Sequence, residues 1–143
     1  LHTDTRRQRQ MCIRDRLPNA AKVLQRFQDG GLLNAVISND TTSGIRRFLD
    51  HHQLSSRIAS IWSADDIPRK PDPKAVDQLC RRLGISPQRC ALVGDAETDL
   101  QMAIDADIGC VIGYTGGWSL PPDLPSAEHL LDHWSDLELD SDT

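Results

Sequence analysis

Four short apolar runs recur along this chain at intervals that leave room for a helix between them: LLNAVI (32–37), IASIW (58–62), CALVG (90–94) and IGCVIGY (108–114). LLNAVI is bounded by turn residues, the pattern of a buried strand, and the other three read as the second, third and fourth strands. The intervening segments carry apolar residues at helical spacing. Ala20, Val23, Leu24 and Phe27 recur at i, i+3, i+4 and i+7 before Asp29-Gly30-Gly31 stops the helix. Pro18 suits the first turn of that helix. SNDTTS (38–43) offers N-caps, and Ile45, Phe48 and Leu49 give the next helix its stripe. Pro73 opens a third, with Val76, Leu79, Cys80 and Leu83 on one side and Gly84 at its end. DAETDLQMAIDAD (95–107) reads as a fourth, entered directly from the preceding strand. HLL (129–131) reads as a last short strand, followed by a helical turn over 134–137. Strands alternating with helices of this length predict an α/β fold, a Rossmann-like parallel sheet with flanking helices and right-handed crossovers.

One segment stands outside that rhythm. RRQRQMCIRDR (6–16) holds five arginines in eleven positions. Back-translated in one frame, residues 6–16 resemble a transposase-type adaptor used in sequencing libraries, and Leu1-His2 resembles the end of a flow-cell adaptor. Residues 1–16 are therefore read as a non-native, adaptor-like translated scar, and native sequence is expected to start near Leu17. Setting those residues aside removes five of 16 basic residues and two of 21 acidic ones, leaving a net charge of −8. Such a surface repels phosphate backbones, so no nucleic acid is expected as a partner. No apolar run approaches the roughly 20 residues of a membrane span, and no membrane partner is expected. Four scattered cysteines without a CxxC pair fit a reducing, cytoplasmic setting, with Cys80, Cys90 and Cys110 read as buried small hydrophobes. His129 and His133 stand four apart, as a zinc pair on a helix would, but no third ligand is evident.

In an open parallel sheet, ligands bind beyond the carboxyl ends of the strands. Three of those ends carry suggestive polar residues. VISND ends the first strand, where the Ser38 hydroxyl and the backbone near Asn39, at a helix N-terminus, suit a phosphate. RKPDP holds Lys70 in a loop stiffened by two prolines. GDAETD ends the third strand, with Asp95 and Asp99 expected on one face of a first helical turn. Two carboxylates there resemble a Mg²⁺ site, since that ion takes few protein oxygens and keeps several waters.

VISND, RKPDP and GDAETD, in that order, resemble motifs II, III and IV of the haloacid dehalogenase-like (HAD) hydrolases. The KPDP form is most similar to the phosphoglycolate-phosphatase-like branch. The resemblance covers residues 17–137, leaving 138–143 as an acidic tail. It implies a Mg²⁺-dependent phosphatase of a small phosphorylated metabolite, phosphoglycolate-like or a sugar phosphate, working through an aspartyl-phosphate. By motif, Ser38 and Lys70 would be catalytic and would bind substrate together with Asn39. Asp95 and Asp99 would hold Mg²⁺, Asp99 through water. Motif I, the DxDxT that supplies the nucleophile, is absent, and so is the helical cap. The resemblance thus implies a carboxy-terminal fragment lacking its central strand, which belongs between the strands ending at Ile37 and Gly94, and without activity of its own. The alternatives are a HAD-type mutase or dehalogenase, and a non-catalytic α/β regulatory module. The sequence sets no oligomeric state.

Overall fold

The structure is a computed structural model that describes residues 20–116 and 118–138. The adaptor-like segment 1–16, the helix start at Pro18 and the tail beyond residue 138 lie outside the described residues. Helix α1 covers 20–29 and ends in a glycine cap. Leu32 N donates to Phe27 O and Gly31 N to Gln28 O, with Gly31 at φ 87°, a left-handed position that suits a residue without a Cβ. Strand β1, Ala35–Ile37, then pairs in parallel with β2, Ser60–Trp62, in the register Ala35↔Ser60 to Ile37↔Trp62. Between them run α2, Thr42–His51, and a single 3₁₀ turn, Ser55–Arg57. The buried strand expected over 32–37 is shorter than its apolar run. Leu32 and Leu33 belong to the turn after α1 and are about half exposed. Pairing with the β2 side begins only where Asn34 pins the chain, its amide donating to Leu24 O and Arg57 O.

A second sheet holds β3, Ala91–Gly94, β4, Cys110–Tyr114, and β5, His129–Leu131, all parallel in the order β3-β4-β5. Helix α3, Pro73–Leu83, precedes β3, and α4, Glu97–Asp105, connects it to β4. Asp72 caps α3 through Lys74 N, Pro73 occupies the first turn, and Gly84 closes it at φ 72°. The fold is thus parallel α/β, as the alternation predicts. Among the described residues, however, no ladder joins β1 to β3, and the sheet falls into two at that position. Strand burial follows the division. Four of the five residues of β4 are buried, whereas β1 and β3 hold none that is.

Side chains bridge what the backbone does not. On α3, Val76 and Cys80 enter the main core with Leu100, Ala103, Ile108, Val111 and Leu124, while Ala75 and Leu79 close on Trp62. Ile37 packs against both groups. Leu100 and Val111 are completely buried, each worth about 2 kcal/mol of transfer free energy. A separate cluster on the other side of the second sheet joins Ile112, Tyr114 and Leu131, with the Tyr114 and Trp134 rings stacked at 4.9 Å. The cysteines divide: Cys80 is buried as expected, but Cys90, just ahead of β3, and Cys110, the first residue of β4, are only half-buried. No helix among the described residues is long and apolar enough to cross a membrane.

Candidate active site

The carboxyl ends of β1, β2 and β3 bring the polar residues of the sequence motifs into one region. Ser38 continues the first ladder by one bond, its N–H donating to Trp62 O at 3.0 Å. Its Oγ accepts from Asp40 N at 3.1 Å, a local turn that leaves the hydroxyl proton to donate elsewhere. Asn39 sends its amide across to the Lys70 carbonyl at 3.0 Å, so it holds the neighbouring loop as well as lying beside it.

The helix terminus expected to hold a phosphate at Ser38–Asn39 is not where the sequence suggested. Helix α2 begins at Thr42 with Thr41 as its cap, past both residues. Two of its leading amides are already used: Gly44 N donates to Thr41 Oγ1 at 3.1 Å and Thr42 N to Asp65 Oδ2 at 2.9 Å. The run of cap-forming residues in SNDTTS allows several starts, and the Asp65 carboxylate from the following loop selects the later one.

Lys70 is delivered by a loop fixed at both ends. Trp62 Nε1 donates to Pro68 O at 2.7 Å, Asp72 caps α3, and the Ile67–Pro68 and Lys70–Pro71 peptides are cis. The Lys70 ammonium reaches Asp99 Oδ1 at 3.0 Å, both side chains being largely covered, with 22% and 15% exposed. Asp99 lies in the first turn of α4, and Gly94 makes room for it: a Cβ at residue 94 would stand 3.1 Å from the Asp99 Cβ. Asp95 is a different case. The helix expected from residue 95 begins at Glu97, after Ala96 in an extended cap conformation. Asp95 therefore sits in the bend between β3 and α4 rather than on a helical face with Asp99. The helix starts between the two aspartates, so i, i+4 spacing on one helical face does not relate them.

The donor set fits a hard divalent cation. Carboxylates are the ligands such an ion takes, and with Oδ1 of Asp99 held by Lys70, a metal or its water would meet Asp99 through Oδ2. Lys70, from the loop after β2, thus meets Asp99, from the first turn of α4, across the division between the two sheets.

A family model described as haloacid dehalogenase-like hydrolase matches residues 8–112. The chain belongs to this family. The match includes all three motifs and reaches into residues 8–16, which the codon reading assigns to the adaptor. Over 113 residues the HAD-like chain is 29% identical to a phosphoglycolate phosphatase of Pseudomonas putida, covering 76% of this chain and 42% of that protein. Over 84 residues it is 32% identical to (S)-2-haloacid dehalogenase 4A of Burkholderia cepacia, covering 58% and 36%. The chain thus spans less than half the length of these relatives. A crystal structure of a predicted phosphoglycolate phosphatase from Haemophilus somnus superposes with a TM-score of 0.75 at 24% identity, over 83% of this chain and 54% of that one, which establishes the shared fold.

Proposed function

We propose that the chain is the carboxy-terminal core of a cytoplasmic, Mg²⁺-dependent HAD phosphatase acting on a small phosphorylated metabolite, phosphoglycolate-like or a sugar phosphate. The observation that carries this reading is the Lys70–Asp99 pair at 3.0 Å with Asp95 in the adjoining bend, at the carboxyl ends of parallel strands. The Lys70 ammonium would neutralise a phosphoryl oxygen, and the Ser38 hydroxyl would donate to another. Asp99 positions Lys70, and Asn39 fixes the carbonyl of the same lysine. Mg²⁺ held near Asp95 and Asp99 would screen the charge of the phosphoryl group. The nucleophile would come from a strand inserted between β1 and β3, where the sheet is divided, and belongs to the part of the parent protein that this chain lacks.

The haloacid dehalogenase relative makes carbon–halogen cleavage the rival chemistry. Displacement of halide by an aspartate needs no divalent cation, so a second carboxylate, Asp95, four residues before the Asp99 that pairs with Lys70 favours the phosphatase.

The 143-residue chain alone is expected to show no turnover of p-nitrophenyl phosphate. Turnover that needs Mg²⁺ and disappears in Asp95→Asn would overturn the proposed dependence on a missing strand. The gene product with its own upstream sequence is expected to hydrolyse phosphate monoesters with Mg²⁺ and to lose that activity in Lys70→Met. Release of halide from 2-haloacids without Mg²⁺ would assign it to the rival class.

A further inference from the structure

At the opposite end of the second sheet, Cys110, Glu128 and His129 converge so that one ligand atom from each lies within 4.8 Å of the others. The ladder explains the convergence. Ile112 pairs with His129, and Cys110 stands two residues before Ile112 on β4, so strand alternation puts the thiol and the imidazole on the same face. Glu128 N donates to Val111 O at 2.9 Å, which anchors the residue just ahead of β5 and brings its carboxylate to the same corner.

We propose that these three side chains form a Zn²⁺ site that clasps the amino ends of β4 and β5. A thiolate, an imidazole and a carboxylate are the three protein donors that zinc takes, and a sulfur ligand selects zinc over Mg²⁺. Zinc–ligand bonds of about 2.0–2.3 Å in tetrahedral geometry separate ligand atoms by roughly 3.3–3.6 Å. Closing to that range from 4.8 Å takes only rotation of side chains, and Glu128 and His129 are exposed and free to make it. Their exposure also leaves the fourth position to water. Burial and the neighbouring Glu128 carboxylate both raise the Cys110 thiol pKa, so in the absence of a cation the groups oppose one another, which a divalent ion reverses. Because the strands are parallel, this corner lies at the other end of β4 from the Lys70–Asp99 region, and it stands independently of the phosphatase reading.

The test uses the 143-residue chain, stripped of metal, titrated with Zn²⁺ in excess Mg²⁺ so that the aspartates near Lys70 do not compete. About one Zn²⁺ per chain should be retained, the thermal midpoint should rise, and Co²⁺ in its place should give a near-ultraviolet thiolate charge-transfer band. His129→Gln, a change at an exposed position, should weaken Zn²⁺ at least about tenfold, and Cys110→Ser should abolish the Co²⁺ band. A Cys80→Ser/Cys90→Ser variant should keep both. Failure of the chain to retain Zn²⁺ overturns the proposal, as does a Co²⁺ band that survives Cys110→Ser or Zn²⁺ affinity unchanged in His129→Gln.

Discussion

The Lys70 ammonium and the Asp99 carboxylate meet at 3.0 Å across a sheet whose two halves share no ladder among the described residues. The pair links the loop after β2 to the first turn of α4. Both partners are mostly covered, so their coupling should exceed that of an exposed ion pair, whose median value is about 0–1 kcal/mol. A double-mutant cycle of Lys70→Met and Asp99→Asn in urea should return about 1–2 kcal/mol of coupling. A value near zero would mean that the pair is electrostatically idle.

Gly94→Ala should act through that same pair. Its Cβ would press on the Asp99 Cβ at 3.1 Å, where the first turn of α4 must give way. A loss of about 1 kcal/mol, with reduced Lys70–Asp99 coupling, is expected in denaturant titrations. Gly109→Ala should be far worse, because its Cβ would stand 2.0 Å from the Gln88 carbonyl oxygen, in backbone that cannot step aside. A cost of about 3 kcal/mol or more is expected there.

Alkaline stability should depend on Cys80. Burial first, then the adjacent Cys90, push its thiol up to about 12 from an ordinary 9.0. Between those values the folded chain keeps a proton that the unfolded chain has released, so stability is complete below pH 9 and falls as pH rises toward 12. Cys80→Ala should flatten that alkaline slope in urea midpoints measured from pH 8 to 11, although its own cavity lowers stability at every pH. At pH 8 the native Cys80 thiol should resist iodoacetamide. Rapid alkylation of the folded chain at this residue would contradict the assignment.

Hydrogen exchange should report the divided sheet. Strand β4 is paired on both sides and buried, while β1 pairs with β2 alone among the described residues. Ladder amides of β4 should exchange at least about tenfold more slowly than those of β1. Equal protection in the two strands would show that β1 has a second partner.

The sequence made the order of elements legible because burial on both faces and helical spacing leave different apolar periods. Motif residues at strand ends were legible for the same reason: once the strands are found, Ser38, Lys70, Asp95 and Asp99 fall at their carboxyl ends. What failed was local geometry set by distant groups. The start of α2 depends on Asp65, twenty-odd residues away, and the start of α4 on the bend that Gly94 permits, so both helices open later than their residue types suggest. Leu32 and Leu33 read as strand because periodicity ignores the turn after α1. The corner of Cys110, Glu128 and His129 was invisible for a related reason. Its members become neighbours only through the Ile112↔His129 register, while His133, the partner suggested by four-residue spacing, lies past the end of β5 instead of a helical turn away.

Helix α3 serves two cores with adjoining stripes, Ala75 and Leu79 toward Trp62, Val76 and Cys80 toward Leu100. A substitution that enlarges one stripe tilts the helix into the other, so evolutionary drift at these four positions must satisfy two neighbourhoods at once. Helix α2 answers to a single cluster through Ile45 and Leu49. Its outward residues can diverge freely, and lineage-specific variation should accumulate there while α3 changes only by paired, compensating steps.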